Sequence, residues 1–411
     1  MHRTIDAVWR MESARVIAGL ARIVRDVGLA EELAQDALVA ALSQWPESGI
    51  PDNPGAWLMG TAKHRAIDLL RRGERIDRKH TELGRELEVT NEAPDLDAAL
   101  DDHVGDDLLR LMLIACHPVL STEARVALTL RLLGGLTTAE IARAFLVPEP
   151  TIAQRIVRAK KTLADKQVPF EVPRKEELAA RVSSVLEVIY LVFNEGYSAT
   201  AGEDWIRPAL CEDALRLGRI LEGLVPNDPE VHGLAALMEI QSSRARARVN
   251  DAGEPILLLD QNRALWDQLL IRRGLAALAK SEQLARELGP YALQAAIAAC
   301  HARARAPGET DWPRIASLYG DIAKRMPSPI VELNRAVAVS MAEGPAAGLA
   351  LVDALRSEPM LAGYHLLPSV RGDLLAKLGR NDEARAELER AASLTQNERE
   401  RALLLRRARS L

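Results

Sequence analysis

The chain has 411 residues and a formal net charge of −5, and 48% of its residues are hydrophobic while only 3% are aromatic. That length exceeds a single hydrophobic core and predicts two or three domains. The acidic balance excludes binding to nucleic acid through overall charge, so any positive surface has to act locally.

Ala and Leu carry much of the apolar share and β-branched runs are scarce, which predicts an all-α fold. Cys116, Cys211 and Cys300 stand far apart with no CxxC or nearby His, so neither a metal site nor a disulfide framework is expected. The chain contains no Gly-rich phosphate loop, no HExxH and no GxSxG. The expectation is therefore a protein with no cofactor and no catalytic site. No apolar run is long enough to span a bilayer and the N-terminal stretch lacks a signal-peptide core, so a cytoplasmic protein with no membrane partner is expected.

In chain order, residues 1–75 read as a first helical domain. Along Gly28–Trp45, Leu33, Ala37 and Ala40 or Ala41 face inward, which leaves Glu32, Gln35 and Asp36 on another side. Along Asn53–Arg72, Ala62, Ala66, Leu69 and Leu70 form an apolar stripe. Lys63, His64, Arg65, Arg71 and Arg72 are left largely to solvent, interrupted by Asp68 alone. Such a helix supplies the phosphate attraction that dominates nucleic-acid affinity. Trp57 just before it reads as an anchor to the domain core.

Residues 76–105 read as an acidic linker. From Glu86 to Leu109 there is no Lys or Arg, while Glu86, Glu88, Glu92, Asp95, Asp97, Asp101, Asp102, Asp106 and Asp107 accumulate. A like-charged block of this kind is expected to be solvated.

Residues 106–166 read as a second domain ending in two short helices joined by a tight turn. Thr137 and Glu140 have the spacing of a capping box. Val147-Pro148 stops the first helix, and Pro150 falls in the first turn of the second. There Ile152, Ile156, Ala159 and Leu163 form the buried stripe, while Thr151, Gln154, Arg155, Arg158 and Lys161 point the other way. That pattern suits a helix lying in a DNA major groove, and it equally suits a helical hairpin with a solvated basic face.

Two prolines bracket Pro169–Pro173 and mark a boundary, after which residues 174–411 form an extension. Arg371–Leu394 reads as helix, turn, helix, Arg335–Leu355 has the same layout one unit earlier, and Cys211–Arg248 is a more degenerate unit. These are marks of tetratricopeptide-like repeats, whose concave face takes a protein or peptide partner. Asn194, Glu195, Tyr197, His301 and Asp311-Trp312 are the polar residues there from which a site might be drawn, but their spacing specifies no known chemistry. Gly196, after a helical run, reads as a C-cap. Arg244, Arg246, Arg248, Arg399, Arg401, Arg406 and Arg407 are basic residues available to meet the acidic linker.

Taken together, Gly28–Trp45 followed by Ala56–Arg72 resembles domain two of the extracytoplasmic-function sigma factors of bacterial RNA polymerase. Ser121–Leu163 resembles their domain four. The extension resembles that of one subgroup of the family, so the likeness covers nearly the whole chain. The resemblance implies an all-α protein whose partners are promoter DNA and the clamp and flap regions of core RNA polymerase. It implies that Glu32, Gln35 and Asp36 contact the core enzyme. Lys63, His64, Arg65, Arg71 and Arg72 would take the minus-ten element, and Thr151, Gln154, Arg155, Arg158 and Lys161 the minus-thirty-five element. This chain departs from the family in having Leu146-Val147 where Gly-Val is usual. A Leu resists positive φ, which predicts a more helical turn. The rival reading is a helix-turn-helix regulator with a ligand- or peptide-sensing repeat domain that never acts as a sigma factor.

Overall fold

The computed structural model describes residues 2–81, 104–173, 175–198, 206–250 and 253–411, so most of the acidic segment expected at 76–105 lies outside the described residues. The fold is all-α. The chain divides into two compact units, one reaching Ile189 and the other beginning at Tyr190. Among the described residues no helix is long and apolar enough to cross a membrane.

In the N-terminal unit, α1 (His2–Val24), α2 (Val27–Ser48) and α3 (Pro54–Thr81) pack against one another. Asp26 caps α2 by accepting from Leu29 N–H at 2.8 Å, and Trp45 meets Trp57 edge to face at 5.3 Å. This fixes Trp57 as the expected anchor. Ala62 and Ala66 are fully buried, but Leu69 is 45% exposed, so the apolar stripe of α3 ends a turn earlier than its spacing predicts. The side chain of Leu70 lies outside the described residues.

The same unit continues with α4 (Val104–Ala115), α5 (Thr122–Leu132), α6 (Thr138–Phe145) and α7 (Glu149–Asp165). α4 packs on α1, and Leu111, Met112, Leu113, Ile114, Leu128 and Leu130 are fully buried. The next helix, α8 (Lys175–Tyr197), begins within this unit. Arg181 donates to the Leu113 carbonyl at 3.2 Å and Ser184 to the Cys116 carbonyl at 2.6 Å. Arg125 donates to Ser184 and Glu187. The turns of α8 up to Glu187 thus tie the start of the extension to α4 and α5. Burial pushes the Cys116 thiol up to about 12, as expected of an inert packing residue.

The C-terminal unit is a succession of helices in which each packs on its neighbours: α9 (Pro208–Leu224), α10 (Pro229–Ser242), α11 (Gln268–Leu284), α12 (Pro290–Arg303) and α13 (Trp312–Arg325), then α14 (Pro329–Glu343), α15 (Pro345–Ala354), α16 (Leu366–Lys377), α17 (Asn381–Leu394) and α18 (Glu398–Arg409). Many begin with proline in the first turn, where a missing N–H costs nothing. Small residues let the helices approach closely. A Cβ on Gly233 of α10 would stand 2.7 Å from the Ala292 nitrogen of α12, and one on Gly274 of α11 would stand 2.6 Å from Ile240 of α10.

Two expectations for the extension are corrected. Gly196 is not a C-cap, because α8 runs on to Tyr197. The glycine is there because a Cβ would meet the Cys211 nitrogen at 2.7 Å. Several of the basic residues read as available for the acidic linker are already engaged: Arg244 and Arg248 are buried, Arg406 pairs with Glu254, and Arg407 pairs with Asp373.

Candidate nucleic-acid interface

The helix-turn-helix is built by local chemistry. The Thr137 hydroxyl accepts from Glu140 N–H at 3.2 Å and the Glu140 carboxylate accepts from Thr137 N–H at 2.8 Å, completing the capping box of α6. Burial pushes the Glu140 carboxyl up, but the Thr137 hydrogen bonds and Arg10 hold it below its ordinary value. At the other end of α6, Leu146 has φ 51° and ψ 41°. The turn is therefore left-handed, as it would be with glycine, and the more helical turn expected from a Leu is not formed. The Leu146 side chain escapes further crowding by facing solvent, 55% exposed.

In α7 the Ile152, Ile156, Ala159 and Leu163 stripe is buried. Gln154, Arg158 and Lys161 are exposed on the other side, with Thr151 and Arg155 half-buried beside them. Pro148 and Pro150 preset the first turn of α7, where Pro150 has no N–H and Thr151 N–H donates to the Pro148 carbonyl at 2.9 Å.

On α3, His64, Arg65 and Arg71 are exposed and Lys63 is half-buried, while the Arg72 side chain lies outside the described residues. On α2, Glu32 and Asp36 are exposed and Gln35 is half-buried. Two of the expected sites meet here, since Asp36 pairs with Arg65 at 3.1 Å.

One buried carboxylate escaped the sequence reading. Glu31 is only 3% exposed, and it pairs with Arg131 of α5 at 2.6 Å and with Lys160 of α7, while Gln35 donates to it as well. Its signal is a carboxylate flanking the Ala30, Ala34, Ala37, Ala41 stripe. A second correction concerns Asp107, expected within a solvated block. It is 4% exposed at the start of α4, pairing with Arg22 of α1 at 3.0 Å and Arg110 at 2.6 Å. Arg10 of α1 also pairs with Glu140 of α6.

Glu195, Tyr197, His301, Asp311 and Trp312 of the extension have structural partners. Glu195 pairs with Arg207, and Asp311 caps α13 by accepting from Arg314 N–H at 3.0 Å. Tyr197 receives Arg244 at its hydroxyl at 2.7 Å and carries the Arg248 guanidinium 3.5 Å above its ring. His301 sits edge-on to Trp312 at 5.1 Å. Burial, then Arg244 and Arg263, lower its pKa to about 4.

Comparison with known proteins adds three family matches. Residues 9–76 match the family model for Sigma-70 region 2, residues 110–163 that for Sigma-70, region 4, and residues 181–282 that of a family of unknown function, DUF6596. The chain is 44% identical over 405 residues to the uncharacterized protein R00370 of Rhizobium meliloti (strain 1021), covering 97% of this chain and 94% of that one. It is 28% identical over 165 residues to the ECF RNA polymerase sigma factor SigK of Mycobacterium sp. (strain KMS), covering 38% of this chain and 79% of that one. No solved structure matches.

Proposed function

This chain belongs to the extracytoplasmic-function sigma factors of the sigma-70 family, and on that footing we propose how its residues divide the work of promoter recognition. Glu32, Gln35 and Asp36 on α2 contact core RNA polymerase. Lys63, His64, Arg65, Arg71 and Arg72 on α3 take the minus-ten element. Thr151, Gln154, Arg155, Arg158 and Lys161 on α7 take the minus-thirty-five element. Residues 1–75 and 106–166 are the two sigma domains, and residues 174–411 modulate their activity or bind a protein or peptide partner. The observation that carries this reading is α7 itself, a helix with one side wholly buried and Gln154, Arg158 and Lys161 presented together on the other. Arg reads guanine and Gln reads adenine in the major groove, while Lys holds phosphate. A regulator that never serves as a sigma factor would have no use for the surfaces of α2 and α3.

One pair of variants tests the assignment. Arg158→Ala should weaken promoter binding by about 1–3 kcal/mol if the guanidinium makes a bidentate base contact. Asp36→Arg should reduce affinity for core enzyme and leave stability within about 0.5 kcal/mol, because an exposed ion pair such as Asp36–Arg65 contributes little. Promoter binding and core affinity both unchanged would contradict the assignment.

A further inference from the structure

Within the C-terminal unit, the last turns of α8 and α10 and the first turns of α9 and α11 converge on a cavity of about 230 Å³. That is the volume of about eight water molecules at about 30 Å³ each, so the cavity admits a small molecule and not a folded partner. Ile206, Leu215 and Leu270 give it an apolar wall, and Tyr197, Ser242 and Arg248 stand among them. An apolar hollow with a few convergent polar groups is the usual make-up of a ligand site. The wall is tightly built where α8 meets α9, since a Cβ on Gly196 would stand 2.7 Å from the Cys211 nitrogen.

The hydroxyls on this wall have unused capacity of one kind. The Tyr197 hydroxyl accepts from Arg244 at 2.7 Å, and among the described residues its own proton meets no acceptor. The Ser242 Oγ is shut away from solvent and has no hydrogen-bond partner among the described residues. Both are donors that want an acceptor, because a buried polar group left unpaired is costly. The charge on the inner side has the sign to match. The Arg248 guanidinium is buried 3.5 Å above the Tyr197 ring, and Arg244, buried as well, pairs with no carboxylate among the described residues. Burial first, and Arg244 beside it, lower the pKa of Arg248, as expected of a cation that added negative charge would stabilise. The carboxylates on the wall, Glu212 and Asp267, are both exposed, and Asp267 is occupied in capping α11 by accepting from Leu269 N–H at 2.8 Å. Negative charge therefore stands at the mouth and positive charge within.

We infer that this cavity is a binding site for a small monocarboxylate with an apolar body. The two carboxylate oxygens accept from the Tyr197 and Ser242 hydroxyls and face Arg248, while the body lies along Ile206, Leu215 and Leu270. Hydrogen bonds to an ionised acceptor are the strong ones, and a single negative charge is what such an inner wall can balance. The inference concerns the extension alone and does not depend on the roles assigned to α2, α3 and α7.

Isothermal titration calorimetry on the full-length protein tests it with butanoate, hexanoate, benzoate and phenylacetate, each beside its neutral amide. At least one carboxylate should bind one-to-one with a Kd below about 1 mM, and its amide at least tenfold more weakly. Tyr197→Phe keeps the ring under Arg248 and Ser242→Ala keeps the helix end, so each removes one hydroxyl from a cavity of nearly the same shape. Each should weaken that carboxylate at least threefold. No binding by any of the four carboxylates, an amide that binds as well as its acid, or unchanged affinity in either variant would overturn the proposal. Transcription is not the readout, so failure here leaves the sigma assignment standing.

Discussion

The Glu31 cluster of the N-terminal unit and the glycine crossings of the C-terminal unit show two ways of joining helices. In the N-terminal unit two buried carboxylates link helices, Glu31 with Arg131 and Lys160 and Asp107 with Arg22, beside the apolar packing of α4 on α1. In the C-terminal unit glycines set the closest approaches, beside charged links: Glu239 of α10 meets Arg219 of α9 and Arg273 of α11, and Arg371 of α16 meets Asp353 of α15 and Glu387 of α17. The absent side chain of Gly233 makes room for Ala292 and that of Gly274 for Ile240, and Gly348 lies directly against Ser340. Separating apolar helices exposes surface at about 25 cal/mol per Å², with nothing to compensate. Separating ion pairs returns each charge to water, which offsets most of what is lost.

The largest effect tests the close-packed side. Gly233→Val places a side chain where the Ala292 backbone already stands, and should destabilise the C-terminal unit by about 3 kcal/mol in denaturant unfolding. A cost below about 1 kcal/mol would show that α10 and α12 part easily. An effect of similar size comes from His301. In the folded chain its pKa is about 4, whereas an unfolded histidine takes a proton near 6.5. Between those values the unfolded state binds the extra proton, so stability falls as pH drops from 6.5 to 4, by about 3 kcal/mol, and levels off below. Denaturation midpoints of His301→Gln across that window should show a shallower fall than the wild type. Equal slopes would mean that the folded protein protonates His301 without cost. The smallest effect sharpens the contrast. Glu31→Gln should cost the N-terminal unit only about 1–2 kcal/mol, since Arg131 and Lys160 then turn out to water. A loss of about 3–5 kcal/mol would mean that both cations stay buried and unpaired.

Much of the local fold was legible because its causes are local. The capping box at Thr137, the proline starts, the α7 stripe and the Trp57 anchor all follow from spacing within a few residues. What was not legible depends on partners distant in the chain. Glu31 is one carboxylate among several until Arg131 and Lys160 are brought to it, and Asp107 belongs to an acidic run until Arg22 of α1 covers it. Leu146 is instructive in another way. Its backbone preference argued for a helical turn, yet the junction of α6 and α7 demands positive φ, and a single exposed Leu tolerates it. Of the candidate site residues, Glu32, Asp36, His64, Arg65, Arg71, Gln154, Arg158 and Lys161 are exposed where spacing put them, with the pairing of Asp36 and Arg65 the feature that only the folded chain reveals.

Run-off transcription with purified core RNA polymerase shows whether these helices form a working sigma factor. Full-length protein added to core enzyme should yield a transcript of defined length from a promoter it recognises, and Arg158→Ala should reduce it. Absence of any promoter-dependent transcript, with a protein that also fails to co-purify with core enzyme, would contradict the account.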